Sequence, residues 1–519
     1  MVARQPGALR RTFLPLNFLT MPLVSVLMLL ATQAIGVTEL HDGILGANGV
    51  KPIDIMALFI SLAYLSISLD ATGLLRFLAL WVVQKGGSSG RRLFTYLYFF
   101  FLLCGVIVGN DPVILSGTAF LAYLTRVSGI SNPRAWVFSQ FAAANMASVV
   151  LVSSNPTNLV LSGAFSLPFT TYTAHCVLPF LGAALFVYPV LRVLFRGSEY
   201  IPVSIELDLG VDSAEGRHMR DTLVDPSGAI FGSALLVATL GVLVGTSTVG
   251  VPVWEITVPP AIVMLFRDLW HDWTKRPMMS PPDSSRSSPE MSIPDATVDA
   301  GSQTHLELQE RPARSTSGFG SHAAHPRALV PVVQSYLARF SSALPTVAAI
   351  LQRLPYPLLP FAFLMFILVQ ALSAAGWVEL FARWWAVWIV RTGVVGAVGG
   401  MAFLACIFCN VCGTNIGATI LLARVIQLWI MNTPEDQSID PRTRYGAIYA
   451  LALGSNYGAF TLTFSASLAG LLWRRILQQK GIFIHPMHFL MLNLPISLTA
   501  MCVSSAILLA QTYVVYRAR

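Results

Sequence analysis

Charge is scarce in this chain. Only 11% of its 519 residues are Asp, Glu, Lys or Arg, while 55% are hydrophobic; soluble domains carry about 25% charged residues. An ordinary soluble fold is therefore excluded. Apolar runs of roughly 18–25 residues, the length that crosses a bilayer, recur from Leu14 to the C-terminus, so an all-α polytopic membrane protein is expected. Cysteine is also sparse, and Cys104, Cys176, Cys406, Cys409, Cys412 and Cys502 all fall inside apolar segments, which argues against a disulfide framework. The formal charge is +8, but the basic residues sit in short loops beside apolar runs. There they report orientation and not nucleic-acid binding. The first run, Phe13 to Ile35, lacks a small-residue cleavage site and is expected to be a retained helix, with Arg4, Arg10 and Arg11 before it placing the N-terminus in the cytoplasm.

What the chain does contain is a polar interruption of an apolar helix. From Val150 to Gly163 it reads V-L-V-S-S-N-P-T-N-L-V-L-S-G. Ser153, Ser154, Asn155, Thr157 and Asn158 crowd around Pro156, which leaves the Val152 carbonyl without its helical partner. At bilayer depth such a break survives only inside protein or against a solvated cavity. A second interruption, G-S-N-Y-G-A-F-T-L-T-F-S-A-S from Gly454 to Ser467, pairs with it, the pattern of a two-repeat transporter with a midplane site.

Two hairpins accompany the breaks. The apolar run Leu93 to Leu124 is interrupted at Gly109-Asn110-Asp111-Pro112 and has basic residues at both ends, Arg91 and Arg92 before it, Arg126 and Arg134 after it. A re-entrant hairpin returning to the cytoplasmic face satisfies that distribution. Between the second span (Ile53 to Leu69) and this hairpin, Asp70-Ala-Thr-Gly73 opens an apolar stretch too short to cross, read as an interfacial helix capped by Asp70. Val369 to Trp384 echoes Ser66 to Trp81 with Gly376 on Gly73, and the break Cys409 to Asn415 follows at nearly the same interval. The second hairpin ends in an acidic loop (Glu435, Asp436 and Asp440 against Arg442 and Arg444), and the second broken helix (Tyr445 to Leu477) ends at Arg474, Arg475 and Lys480. The two repeats are therefore expected to be inverted, each with a re-entrant hairpin and a broken transmembrane helix. Further spans are expected at Ala174 to Leu194, Ala229 to Leu243 and Val253 to Phe266, with an amphipathic stretch over 197–225. Residues 268–345, rich in Ser, Pro, Asp and Arg, read as a disordered cytoplasmic linker between halves 1–267 and 346–519.

Asn110, Asp111, Asn145, Ser148, Ser153, Ser154, Asn155, Thr157 and Asn158 of the first half, with Asn410, Thr414, Asn415, Asn456, Gly458, Thr463 and Ser467 of the second, form the candidate substrate and ion site. Broken helix ends offer free N–H groups to an anion or oxyacid and free carbonyls to a cation. Asp111 is the sole carboxylate at either tip or break, a candidate proton carrier or sodium ligand; the alternative is that it caps the helix after Pro112. No nucleophile–base pair or metal-ligand cluster accompanies these residues, which argues against an enzyme, a resident metal or a cofactor beyond the coupling ion, H⁺ or Na⁺. Cys406, Cys409 and Cys412, at i, i+3 and i+6, are suited to thiophilic arsenic on paper and to helix packing more simply.

Three runs carry a resemblance. S-L-D-A-T-G-L-L-R-F-L-A-L-W with G-G-S-S-G-R-R-L-F and G-N-D-P-V-I-L, A-N-M-A-S-V-V-L-V-S-S-N-P-T-N-L-V, and the Gly454 run continuing into L-A-G-L-L-W-R-R-I-L resemble the arsenite-efflux permeases (ArsB type) of the ion transporter superfamily, which also holds citrate, dicarboxylate and sodium/proton carriers. The resemblance implies a secondary transporter with Asn110, Asp111, Ser148, Ser154, Asn155, Asn158, Gly458, Thr463 and Ser467 lining its site. The chain departs from that pattern with Asn145 in place of Asp, Asn456-Tyr-Gly-Ala-Phe460 in place of Asp-Leu-Gly-Pro-Lys, and Asn410-Val411 where paired asparagines are common.

The expected function is ion-coupled carriage of a small oxyanion or neutral oxyacid, arsenite-like first. A citrate, dicarboxylate or sodium/proton carrier is the alternative within transport, and a non-transporting scaffold or sensor working through the linker is the alternative outside it. The expected setting is the plasma membrane, the partners a small anion and lipid; a homodimer is compatible with the sequence.

Overall fold

Most helices start where glycine, proline or a short polar side chain stands. The computed structural model describes residues 17–47, 50–205, 223–246, 251–275, 336, 338–434 and 438–516. The helices of the first half are α1 (Thr20–Ala31), α2 (Val37–Leu45), α3 (Pro52–Ala71), α4 (Leu74–Gly86), α5 (Gly90–Val108), α6 (Asn110–Val127), α7 (Arg134–Ala147), α8 (Pro156–Ala164), α9 (Phe169–Leu194), α10 (Pro226–Thr246) and α11 (Val253–Thr274). The second half holds α12 (Pro345–Arg353), α13 (Leu358–Ala374), α14 (Trp377–Val411), α15 (Asn415–Asn432), α16 (Pro441–Gly458), α17 (Leu468–Gln479) and α18 (Pro486–Val515). Among the described residues there is no strand, only isolated bridges, and eight helical stretches are long and apolar enough to cross a membrane. The chain is thus an all-α, multi-pass membrane protein, as its composition predicts.

Two units are distinguished, Met1–Asp268 with Ala349–Arg519, and Leu269–Ala348. In the smaller one the Asp272 carboxylate accepts from the Thr346 and Val347 amides at 3.1 and 3.0 Å, which satisfies the open N–H groups at the start of α12. The expected linker is therefore helical at both edges. Its core, 276–335, lies outside the described residues, as do 1–16, most of the amphipathic stretch (206–222) and the acidic residues Glu435 and Asp436. Composition drew the linker's first edge too early, because F-R-D-L-W-H-D-W-T after Val263-Met-Leu contains no Gly or Pro to end α11. The first apolar run also differs from expectation. Its described helix α1 has 12 residues, about 18 Å at 1.5 Å per residue, short of a span.

The echo between halves is present in the backbone. Gly73 and Gly376 both start a helix in the left-handed region (φ 88° and 76°). Gly87 and Gly393 share φ 59°, at ψ −153° and −147°, conformations that a side chain would strain. Gly393 divides α14 into two limbs, so the first limb, the second limb and α15 repeat α4, α5 and α6. The hairpin breaks fall at Gly109 (φ 94°) and Gly413 (φ 77°). Both expected broken helices are also found, α7 and α8 joined through a 3₁₀ turn at Val152–Ser154, and α16 and α17 through one at Phe464–Ala466.

The halves interleave. Arm α6 of the first hairpin packs on α17 of the second broken helix, and arm α15 of the second hairpin packs on α8 of the first. Arg126, at the end of α6, donates to the Lys480 carbonyl just past α17 (3.0 Å), while Gln427 of α15 donates to the Ala164 carbonyl at the end of α8 (2.7 Å). Aromatic rings fill the seam. Phe141 of α7 stacks on Trp473 of α17 at 4.5 Å, and Phe464 of the second break lies 4.1 Å from Phe489 of α18. Each buried ring pair contributes about 0.5–1.5 kcal/mol beyond its buried area.

The Arg126–Lys480 contact puts the exit of the first hairpin beside the basic end of the second broken helix. Exposed cysteines introduced as Ser88→Cys and Ser131→Cys, at the two ends of the hairpin, are expected to react with an impermeant thiol reagent from one and the same side of the membrane. Labelling from opposite sides would show that α5 and α6 do not form a re-entrant pair.

Candidate functional site

Pro156 at the first helical position and Asn155 before it account for the restart of α8. The Asn155 carboxamide oxygen accepts from the Thr157 amide (3.1 Å), a side-chain N-cap. Upstream, α7 ends at Ala147 and leaves carbonyls that have no helical partner. Asn158 reaches back to two of the carbonyls in the break, donating to Ser148 (2.7 Å) and Leu151 (2.9 Å). The break is thus closed by its own side chains, with Asn158 as the clamp.

Asn456, on α16 of the other half, completes the cluster. Its amide nitrogen donates to the Asn158 side-chain oxygen (2.7 Å), and its side-chain oxygen accepts from the Ser148 hydroxyl (2.9 Å) and the Asn155 amide group (3.0 Å). Ser148, Asn158 and Asn456 are fully buried and Asn155 nearly so. Three neutral polar side chains of one break and a fourth about 300 positions away therefore meet in one network. Asn145 sits in the first broken helix much as Asn456 does in the second, and each donates back to the carbonyl four residues earlier, Phe141 (2.8 Å) and Ala452 (2.9 Å). Their acceptors differ. The Asn456 oxygen receives two donors, whereas the buried Asn145 oxygen has no partner among the described residues.

The hairpin tips meet these breaks. A Cβ placed on Gly109 would stand 3.1 Å from the Ser154 carbonyl oxygen, so glycine permits the close approach that its positive φ also requires. The Ser154 hydroxyl donates to the Val106 carbonyl (3.1 Å). Gln140 of α7 fixes the second arm, donating to the Val113 carbonyl (2.9 Å) and accepting from Thr118 (3.1 Å). In the second half, the Asn410 side-chain oxygen accepts from both the amide (3.1 Å) and hydroxyl (3.0 Å) of Thr463, tying tip to break. Thr414 and Ser467 cap α15 and α17 through the Gly417 (3.4 Å) and Gly470 (3.0 Å) amides. Asn110 and Asn415 are buried at the tips, Thr157 is buried in the first break, and Asp111 and Ser153 are half-buried. These sixteen positions, taken from sequence, fall into two tip–break clusters joined by Asn456. Gly458 is the exception as a lining residue, because an added Cβ there would meet Cys409 Sγ and Cys406 Cα at 2.8 Å. It is a packing position between α16 and α14. Cys406 and Cys409 serve the same contact, lying 3.6 Å from the Gly454 and Ser455 carbonyls.

Sequence reasoning missed two buried carboxylates. Asp70 is not a cap. Gly73 occupies that place, and Asp70 instead accepts from Ser116 of α6 (2.5 Å) and pairs with Arg353 (3.3 Å). Asp268, expected at the start of the linker, accepts from Tyr64 (3.0 Å) and Ser68 (2.6 Å). The signal was present in Ser61, Tyr64 and Ser68, spaced to share one face of an apolar helix.

The network holds neither a cation nor a carboxylate. Among the described residues no group of His, Cys, Asp and Glu is placed to hold a metal. The arrangement can exchange hydrogen bonds with a hydroxyl-bearing or singly charged oxygen ligand. Asn456→Ala removes two acceptor contacts and two donor contacts and leaves buried partners unsatisfied, so it is expected to destabilise the fold by about 2–4 kcal/mol. Ser467→Ala, which removes one cap, is expected to cost about 1 kcal/mol. Chemical denaturation in detergent checks both, and an Asn456→Ala variant as stable as the parent contradicts the network's structural weight.

The family model described as "Citrate transporter" matches residues 11–453. The chain is 28% identical over 210 residues to an arsenical pump membrane protein of Escherichia coli, and 26% identical over 210 residues to an arsenical pump membrane protein of Yersinia enterocolitica. Each match takes 40% of this chain and 47% of the relative. The chain spans about half the length of these curated relatives. Among solved structures, the Alcanivorax borkumensis YdaH transporter, whose crystal structure is described as revealing an unusual topology, matches with a TM-score of 0.52 at 14% identity. That match covers 94% of this chain and 89% of the other, a likeness of fold alone. A membrane transporter fold, two broken helices meeting at one buried polar network and a family match over most of the length lead to one statement: this chain belongs to the citrate transporter family.

Proposed function

We propose that the protein is an ion-coupled secondary transporter of a small oxyanion or neutral oxyacid, arsenite-like, with its site at the Ser148–Asn155–Asn158–Asn456 network. The observation that carries the reading is the composition of that network. It is uncharged, rich in both donors and acceptors, and built by helices of both halves. A neutral oxyacid brings hydroxyl donors for carbonyl and amide oxygens, including the unpartnered Asn145 acceptor. The family's description and the names of the arsenical pump relatives support the class of substrate. The second reading, a citrate or dicarboxylate carrier, draws on the family description but finds no Arg or Lys in the network to meet several carboxylates. The sodium/proton carrier is the remaining reading within transport.

The interleaved hairpins and the paired glycines support two repeats of inverted orientation. The basic residues before α1 support a cytoplasmic N-terminus, and the plasma membrane is the setting we assign. A buried network implies that this conformation is closed around the site, so substrate enters by movement of one tip–break cluster against the other. Asp111, the one carboxylate at a tip, makes no side-chain hydrogen bond among the described residues and is the group we assign to proton coupling. Sodium held by carbonyls and carboxamides of the breaks is the alternative coupling.

Proteoliposome uptake with arsenite, silicate, phosphate and citrate tests the substrate class. Arsenite or silicate is expected to move and citrate to be excluded; citrate uptake without oxyacid uptake overturns the first reading. Asp111→Asn keeps size but cannot titrate. It is expected to retain exchange across the membrane and lose accumulation driven by a pH gradient. Retained uphill, pH-dependent transport assigns coupling elsewhere. Replacing Cys406, Cys409 and Cys412 together by Ser is expected to leave arsenite transport largely intact, since two of the thiols are committed to packing; abolition in a folded protein would make them a thiolate site for arsenic.

A further inference from the structure

The second half contains a cavity of about 480 Å³ between the two limbs of α14 and the hairpin arm α15. Its walls include Trp384, Trp385, Trp388, Phe403, Phe408 and Leu421. The matching elements of the first half, α4, α5 and α6, leave only about 10 Å³, lined by Phe100, Phe101 and Phe120 among others. Aligning Gly109 with Gly413 places Phe100 on Leu404, which lines the larger cavity. One half has filled this place with rings and the other has left it open. Openness is therefore particular to the second half and is not a general property of the fold.

The cavity opens among exposed apolar side chains. On its rim Trp384 and Phe403 are more than half exposed and Trp388 nearly half, on the two apolar limbs that meet at Gly393. Its interior is apolar, a lining that stays dry and takes apolar guests. At about 30 Å³ per small group, the volume of a liquid water and close to that of a methylene, it holds on the order of sixteen carbons, one fatty acyl chain. Two polar features mark where such a chain would end. The buried Trp385 indole N–H has no partner among the described residues, whereas the Trp388 indole donates to the Gly396 carbonyl at 2.9 Å. Arg391, one turn beyond Trp388 on the same limb, is exposed and makes no ion pair among the described residues, whereas Arg383 lies 3.9 Å from Glu379.

We propose that this cavity is a binding site for one phospholipid. Its acyl chain lies among Trp384, Trp385 and Trp388, an ester carbonyl accepts from the Trp385 indole, and the phosphate meets Arg391. Phe408 is two residues from Asn410, which bonds to the second break, so the bound chain braces the hairpin arm that carries that contact.

The test uses the full chain, purified in mild detergent for native mass spectrometry and reconstituted in phosphatidylcholine brominated on its acyl chains for tryptophan fluorescence. The parent is expected to retain one phospholipid through detergent exchange and to be quenched by the brominated chain. Leu404→Phe, which copies Phe100 of the first half, combined with Leu421→Phe on the facing arm, is expected to lose the retained lipid and a measurable share of the quenching. Arg391→Glu, an exposed change that spares the cavity, is expected to lower retention severalfold with little change in quenching. A parent that retains no lipid, equal retention by parent and Arg391→Glu, or a folded filled variant that is quenched as strongly as the parent overturns the site. A retained free fatty acid, indifferent to Arg391→Glu, overturns the phospholipid assignment.

Discussion

A helix broken inside a membrane must find partners for the backbone groups it frees, because hydrocarbon supplies none. This chain meets that constraint twice and by the same means. At the first break Asn155 caps the restarting helix and Asn158 collects the Ser148 and Leu151 carbonyls. At the second, Ser467 caps α17 and the Thr463 amide finds Asn410. Buried polar surface exists at the breaks because these partners are side chains. Side-chain partners can exchange a hydrogen bond with a ligand and recover it on release.

The two halves share a backbone plan and differ in what they hang on it. Gly73 and Gly87 recur as Gly376 and Gly393 in closely matching conformations, and Gly109 has Gly413 as its positive-φ counterpart. The side chains have diverged. Asn158 of the first break has no amide counterpart in Leu468-Ala469-Gly470, and the oxygen of Asn456 is saturated where that of Asn145 is not. Cys406 and Cys409 pack against glycines of α16 where Gly105 of α5 lies against Ala147 of α7. The first half therefore both clamps its own break through Asn158 and, among the described residues, keeps an unspent acceptor at Asn145.

Much of this was legible in the sequence because its physical causes are local. Proline at a helix start, a short polar cap and a glycine in the left-handed region each mark an end, and Gly376 could be laid on Gly73 by inspection. The candidate site residues stood out because amides inside apolar runs are costly. Asp70 and Asp268 were misread for a different reason: each gains its partners from distant helices, Ser116 and Arg353 for one, Tyr64 and Ser68 for the other. Gly458 was misread because a glycine at a break and a glycine at a helix crossing look alike until the crossing helix is in place. The cavity beside α14 was equally invisible, since it depends on the fold-back at Gly393 between two limbs that the hydropathy pattern runs together.

The central claim is that one buried, uncharged network shared by both halves receives the substrate. A cryo-electron microscopy map of the protein in lipid nanodiscs with a saturating arsenic oxyacid tests it most directly, because arsenic scatters strongly against the light atoms around it. The account predicts compact density within hydrogen-bonding distance of Ser148, Asn145 or Asn456, with the tip at Gly109 still against Ser154. Density lodged at the cysteines of α14, or an undisturbed network in a protein that demonstrably transports the compound, would contradict it.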